Sequence, residues 1–182
     1  NTGLSSNEAH PFQFTTLIGM HNGTMWGTLK DVPWKVDGEV NSDSWRALYR
    51  LNQLIESGKT IDSCLEEWLN RYEDTSSFVF LILHNQQLHI IRGPKTKTLY
   101  YASYEDGLIL HTDDAVLKSF SALSTYLLGY SIGEIAEFPE LSYASINPGE
   151  NYFAFERKIT YSPVRGYAQS HIQYATPTQN GR

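Results

Sequence analysis

His21-Asn22-Gly23 closes the apolar run Leu17-Ile18-Gly19-Met20, setting a side-chain carboxamide beside a backbone N–H that no side chain shields. Such a pair can converge as an oxyanion hole, because acyl transfer needs fixed N–H donors aimed where negative charge develops, each contributing about 2.7–4 kcal/mol. Gly23 also lets the backbone approach a substrate with no Cβ in the way. Upstream stands Ala9-His10-Pro11, and downstream Ser42-Asp43-Ser44. Read locally, each of these has a plainer alternative. Asn22-Gly23-Thr24 is a turn sequence and a formal glycosylation sequon, His10 before a proline caps a turn, and Asp43 is a helix N-cap.

The elements that would position these residues follow from periodicity. Residues 12–20 are expected as one strand that delivers the polar tripeptide at an Asn-Gly turn. Residues 23–41, with Gly27, Pro33, Gly38, Trp26 and Trp34, read as an irregular loop with short extended pieces, of a length that tends to be functional. Ser42 or Asp43 caps a helix over 44–57, in which Trp45, Leu48, Tyr49, Leu51, Leu54 and Ile55 form an apolar stripe and Gly58 is the stop. Thr60 caps a second helix over 61–72, whose Ile61, Cys64, Leu65, Trp68, Leu69 and Tyr72 make the clearest amphipathic pattern in the chain. The period then changes: 77–84 is a continuous apolar run, expected as a strand buried on both faces, and Asn85-Gln86 turns it into a strand over 87–92.

Strands over 98–103 and 108–112 are joined at Asp106-Gly107, a hairpin signal. Thr112 or Asp113 caps a helix to Leu128 with Val116, Leu117, Phe120, Leu123 and Leu127 on one side. Residues 135–138, a Pro148-Gly149 turn and a strand over 151–157 complete the order, with a frayed tail from Thr176. Helices layered on mostly antiparallel sheets, an α+β arrangement, are the expectation.

Composition narrows the chemistry. A chain of 182 residues, 41% hydrophobic and 13% aromatic, suits one packed core in which about 70% of the unfolded surface is buried. Tyr outnumbers Phe by 12 to 8, as in half-buried strands whose hydroxyls reach solvent or a partner. A net charge of −6 with Lys and Arg scattered singly gives no footprint for a phosphate backbone, so nucleic acid is not an expected partner. The only cysteine, Cys64, excludes an intrachain disulfide and a Cys-rich metal site, and a reducing cytoplasm is the simplest setting. No membrane span or signal peptide is read. His84, His89, His111 and His171 form no metal spacing and read as core or surface histidines. No cofactor is expected.

Together the motifs resemble those of class II glutamine amidotransferase domains, the N-terminal-nucleophile glutaminases. The family pattern runs T-x-G, N-A-H-P, an apolar strand into H-N-G, then S-D-T-E or D-S-E. Thr2-Gly3, Ala9-His10-Pro11, His21-Asn22-Gly23 and Asp43-Ser44 fall in that order. Further likenesses are residues 78–84 to a buried strand, Ile91-Arg92 with Leu99-Tyr100-Tyr101 to a strand pair, Leu110 to Ala115 to the lead into a helix, and Ile146 to Glu150 to a turn near the domain's end. The resemblance covers residues 2–155.

The resemblance implies a four-layer αββα sandwich of the N-terminal-nucleophile hydrolase type, incomplete at its N-terminus, over residues 1–175 with a tail at 176–182. It implies hydrolysis of L-glutamine to glutamate and ammonia through a thioester. The Asn22 side chain and Gly23 N–H would hold the oxyanion and Asp43 would pair with the α-ammonium of glutamine. His10 would line the site, Thr2 would contact substrate, and Trp26 and Trp34 would form part of a lid. Two departures matter. Trp45 stands where an acidic residue is usual, and the family's N-terminal cysteine has no counterpart here, Asn1 being first and Cys64 lying in a predicted amphipathic helix.

The nucleophile, first strands and substrate-carboxylate arginine are therefore expected from a segment outside this chain. A separate N-terminal fragment and an ammonia-accepting synthetase are the implied partners. Without its first strands the chain should show open sheet edges and a half-filled core, and be poorly soluble or bind that segment tightly. Two alternatives stand beside this: a catalytically inactive glutaminase-like interaction module, and another N-terminal-nucleophile hydrolase with Asn1 at an autocleavage point.

Overall fold

The structure is a computed structural model of the chain, and it describes residues 10–25, 32, 35–36, 39–40, 42–69, 77–94, 97–104, 107–129, 131–147, 155–158 and 173–174. In chain order the elements are β1 (Phe12–Gln13), β2 (Ile18–Thr24), β3 (Lys35–Val36), β4 (Glu39–Val40), α1 (Asp43–Glu56), α2 (Ile61–Leu69), β5 (Ser77–His84), β6 (Gln87–Arg92), β7 (Tyr100–Tyr104), β8 (Gly107–His111), α3 (Asp114–Leu128), β9 (Ala136–Glu137), β10 (Ser142–Ile146), β11 (Phe155–Lys158) and β12 (Gln173–Tyr174). A seven-stranded sheet has the order β1-β2-β5-β6-β10-β11-β12, a three-stranded sheet the order β8-β7-β9, and β3 pairs with β4. Among the described residues every pairing is antiparallel. The fold is α+β with antiparallel sheets, as the order of patterns predicts.

The unbroken apolar run of β5 is explained by cover on both faces. Alternate residues of a strand point to opposite sides, so Phe78, Phe80 and Ile82 pack with Leu48, Leu51 and Leu54 of α1 and with Cys64, Leu65 and Trp68 of α2. Val79 and Leu81 point the other way and join Leu99, Tyr101, Leu108, Leu110 and Phe138, in and beside the smaller sheet. Burying each of these large apolar side chains contributes about 1.5–3 kcal/mol. The Asn85-Gln86 turn is formed with φ of 48° and 66°, the left-handed pair a two-residue hairpin requires.

Polar side chains tie the layers together. Asn52 of α1 accepts from the Thr16 N–H at 3.0 Å and from its hydroxyl at 2.8 Å. Across β2, β5 and β6 the residues Asn22, Val79 and Arg92 stand directly opposite one another. Arg92, almost wholly buried, donates from Nε to the Lys97 carbonyl at 2.9 Å and from Nη1 to that of Phe138. Its Nη2 pairs with Glu137 of β9 at 2.7 Å, joining the two sheets.

Several expectations are corrected. Residues 12–20 are not one strand: the chain turns after β1, with the Phe14 N–H on the Leu17 carbonyl at 2.9 Å, because Asn52 captures Thr16. Asn22-Gly23 is not a turn but lies within β2, paired with Val79 and Phe78. Gly107 is already in β8, opposite Tyr104. Strands β10 and β12 were not anticipated, and the Ser-Tyr-Ala-Ser-Ile alternation of β10 is the signal that marks the first.

Asp113 does cap α3, accepting the Ala115 N–H at 2.9 Å, and Gly129 closes it at φ 73°. Yet only Leu117 of its expected apolar stripe is buried. Val116, Phe120, Leu123 and Leu127 are between 38% and 62% exposed, because α3 meets β7 and β8 along a row with Leu117 and Ser124 inside. Residues 70–72, 148–154 and 176–182, together with Trp26 and Trp34, lie outside the described residues. Among the described residues, no helix is long and apolar enough to cross a membrane.

Gly19 fixes how closely β2 lies under α1. A Cβ there would stand 2.6 Å from Leu48 Cδ2, and Leu48 is fully buried. Gly19→Ala is therefore expected to destabilise the fold by about 1–3 kcal/mol. Leu48→Ala, which on its own costs about 2–5 kcal/mol by opening a cavity, should cost less in the Gly19→Ala background. Urea melts of the four proteins measure that coupling, and strictly additive losses would contradict the contact.

Candidate active site

The site is built on β2, whose alternation serves both faces of the large sheet. Gly19 and His21 are buried under α1, while Met20 and Asn22 are exposed on the opposite face. Gly23 follows at φ 145°, and a Cβ there would lie 2.0 Å from the Ser77 carbonyl oxygen. Only glycine satisfies both conditions. The Asn22 carboxamide thus faces the smaller sheet, next to a length of backbone that cannot carry a side chain.

The N-terminus of α1 supplies the acidic group. Ser42, not Asp43, is the N-cap, with its Oγ accepting the Trp45 N–H at 3.1 Å. Asp43 is the first helical residue, where a carboxylate also complements the helix dipole. Its Oδ2 accepts the Met25 N–H at 2.8 Å and its Oδ1 accepts the Ser44 N–H at 2.8 Å. The first of these bonds pins the carboxylate beside the chain just beyond Gly23. Buried Arg46 donates from Nη2 to the Val32 carbonyl at 2.7 Å and so holds one point of the 26–41 segment against α1.

Between strand and helix stands His21. Its ring stacks on Phe80 with centroids 4.4 Å apart and an interplanar angle of 15°. Its Nδ1 is hydrogen-bonded to Ser44 Oγ at 2.6 Å, and its backbone N–H donates to His10 Nδ1 at 3.0 Å. Burial lowers the His21 pKa to about 4; the Asp43 charge opposes that shift, and His10 and Lys97 add to it. Burial also lowers the His10 pKa, again against Asp43. With Nδ1 accepting, the neutral His10 ring carries its proton on Nε2.

A cavity of about 340 Å³ lies on the Asn22 face, lined among others by His10, Asn22, Val79, Leu110, His111 and Thr112. That volume is at the small end of ligand pockets, which run to about 300–1,000 Å³. His10 and Asn22 therefore meet at one cavity. Asp43 is not among its lining residues and connects to it through His21 and Ser44. Thr2 lies outside the described residues. The described residues hold no group of three His, Cys, Asp or Glu that could bind a metal. Cys64 is fully buried in α2 and burial pushes its thiol pKa up, which is the reverse of what a nucleophilic cysteine needs.

His21, Ser44 and His111 carry contacts that the sequence reading assigned to no role. Strand alternation from Asn22 was the available signal for His21, since it turns that ring toward the helix. Nothing in the spacing marks His111, whose Nδ1 accepts the Asp113 N–H at 2.9 Å and whose approach to the cavity depends on the second sheet.

Gly23→Ala would drive its Cβ into the Ser77–Phe78 backbone and should cost about 2–3 kcal/mol or more, from strain and overpacking together. Amide exchange should show the Gly23–Phe78 pairing opened; an unaltered β2 would contradict the close approach. A second expectation concerns acid. His21 and fully buried His89 both have pKa values near 4 in the fold, from burial first, and near 6.5 when not so shifted. The unfolded chain takes up these protons first as pH falls. Stability is then complete above about pH 6.5 and is lost progressively toward about pH 4. Thermal melts should show Tm falling through that window and less steeply in His89→Gln, whereas a flat profile would exclude neutral burial.

No family model matches this chain, and no curated protein does. Solved structures are similar. One is the glutamine phosphoribosylpyrophosphate amidotransferase of B. subtilis complexed with ADP and GMP, with TM-score 0.52 and 14% identity over 79% of this chain and 30% of that one. A structure described as the allosteric regulatory enzyme of purine biosynthesis has TM-score 0.49 and 15% identity, over 76% and 28% of the two chains. A glutamine aminotransferase class-II domain protein from Silicibacter pomeroyi has TM-score 0.47 and 12% identity, over 80% and 70%. This chain spans less than a third of the first two. On the first likeness, the fold of this chain is similar to that of part of the B. subtilis amidotransferase.

Proposed function

We propose that this chain is the larger part of a glutaminase domain that binds L-glutamine and hydrolyses it to glutamate and ammonia for a synthetase. The observation that carries the reading is the joint placement of Asn22, Gly23 and Asp43. The Asn22 carboxamide sits at a cavity of amino-acid size, the backbone of Gly23 that follows it is free of Cβ, and the Asp43 carboxylate is bonded to Met25 just past them. The Asn22 side chain and Gly23 N–H would stabilise the oxyanion. Asp43 would accept the α-ammonium of glutamine, a charge-assisted contact that simple amides cannot make. His10, with its Nε2–H available, would line the site, and Thr2 would contact substrate. Two helices, a large sheet and a facing second sheet with α3 on its strands support the αββα sandwich of the N-terminal-nucleophile hydrolases.

Because the one cysteine of the chain is buried with a raised pKa, the nucleophile is assigned to a segment outside these 182 residues. The residues α3 leaves exposed, and the edge of β8 that has no strand beside it among the described residues, would give such a segment an apolar surface and a strand edge to join. The same cysteine observation favours a second reading, a glutaminase-like module that binds without turnover.

Titration of the chain with L-glutamine, followed by calorimetry and by a glutamate assay, tests the proposal. Binding without glutamate release is expected, with Asp43→Ala weakening it tenfold or more, about the scale of a charged hydrogen bond. Glutamate release by the purified chain alone would overturn the outside nucleophile. A co-purifying polypeptide that begins with Cys, found by intact mass and N-terminal sequencing, would remove the binding-only reading.

A further inference from the structure

His21 belongs to no role assigned so far, yet it links Asn22, His10 and Ser44. Its peptide continues into Asn22, its N–H holds His10, and its ring reaches Ser44. The ring Nε2 is buried and has no hydrogen-bond partner among the described residues. A neutral imidazole carries one proton. Placing it on Nε2 would bury an unmatched N–H, which proteins tolerate less readily than an unmatched acceptor. The proton therefore sits on Nδ1, facing Ser44 Oγ at 2.6 Å.

That assignment orders the next group. With its oxygen accepting from His21, the Ser44 hydroxyl directs its own proton to Asp43 Oδ1, 3.4 Å away. Oδ1 then receives both the N–H and the hydroxyl of Ser44, and Oδ2 receives the Met25 N–H. A carboxylate has further lone-pair capacity, and what remains on Oδ2 is directed by these bonds rather than by free rotation of the side chain.

We propose that His21 and Ser44 are positioning residues: His21 Nδ1–H donates to the Ser44 hydroxyl, which donates to Asp43 Oδ1, and this relay aims the carboxylate at a ligand's ammonium group. The inference rests on the glutamine reading above and adds to it a specificity device. The relay distinguishes an amino acid from an amide lacking the α-amino group, and it ties Asp43 to the residue that precedes the carboxamide of Asn22.

The test uses the full chain and the variants Ser44→Ala and Ser44→Thr, with two probes: L-glutamine and glutaric acid monoamide, the same molecule without the α-amino group. Nitrogen-15 NMR of the imidazoles should show His21 protonated on Nδ1, with slow exchange in the wild type and Ser44→Thr and fast exchange in Ser44→Ala. In calorimetry Ser44→Ala should bind glutamine about tenfold more weakly and the monoamide unchanged, and Ser44→Thr should restore the preference. A wild-type chain that does not distinguish the two probes overturns the glutamine reading and the role of the relay with it. A chain that distinguishes them, but has His21 protonated on Nε2 or loses both probes alike in Ser44→Ala, overturns the relay alone.

Discussion

The close approach of β2 to its neighbours on two sides, to Ser77 of β5 at Gly23 and to Leu48 of α1 at Gly19, is the contact from which the other distances at the site follow. A strand held that tightly has no freedom to slip, since a shift of one residue would exchange its two faces. The Asn22 side chain would then enter the helix layer and the His21 ring would turn toward the smaller sheet. The two glycines thus fix register as well as spacing. Their cost is the intrinsic weakness of glycine in a strand, offset by pairing with β5 along the whole length of β2.

Around this strand the chain buries polar groups in matched sets. Asn52 serves Thr16, His89 bonds Tyr143 Oη at 2.7 Å, and Arg92 serves two carbonyls and a carboxylate. Each would be costly alone and is tolerable because its partners lie within reach. His21 and His89 are each satisfied at Nδ1 alone, their Nε2 atoms having no hydrogen-bond partner among the described residues, and of the two it is His21 that stands at the candidate site. An incompletely satisfied buried group at a candidate site, beside a carboxylate, is where a fold gives up stability for arrangement.

Most of the architecture was legible in the sequence because its signals are periodic. The helices from Asp43 and Ile61, the double-faced strand of Ser77–His84 and the hairpin at Asn85-Gln86 all follow from spacing. Local chemistry misled at two points. Asn-Gly is a turn by propensity, but here pairing with Val79 and Phe78 overrides it. The apolar residues of α3 have helical spacing, yet spacing does not say what covers them, and the smaller sheet covers only the Leu117 row. His10 and Asn22 were readable as a pair from motif order. The coupling of Asp43 to His21 through Ser44 was not, because it depends on the height of one helix end above one strand.

Arg92 gives the cavity a property that apolar packing would not. It stands in the same cross-strand row as Asn22 and Val79, and its guanidinium is anchored on β9 and the Phe138 carbonyl. The gap between the sheets beside that row is thus set by the length of an extended, hydrogen-bonded side chain, as a strut sets the spacing of two plates. Leucines and valines can slide and settle inward around an empty space; a charged strut with three anchors cannot shorten. The chamber beside Asn22 is in this sense propped open from a point two strands away, and its width is a property of the scaffold before any ligand enters.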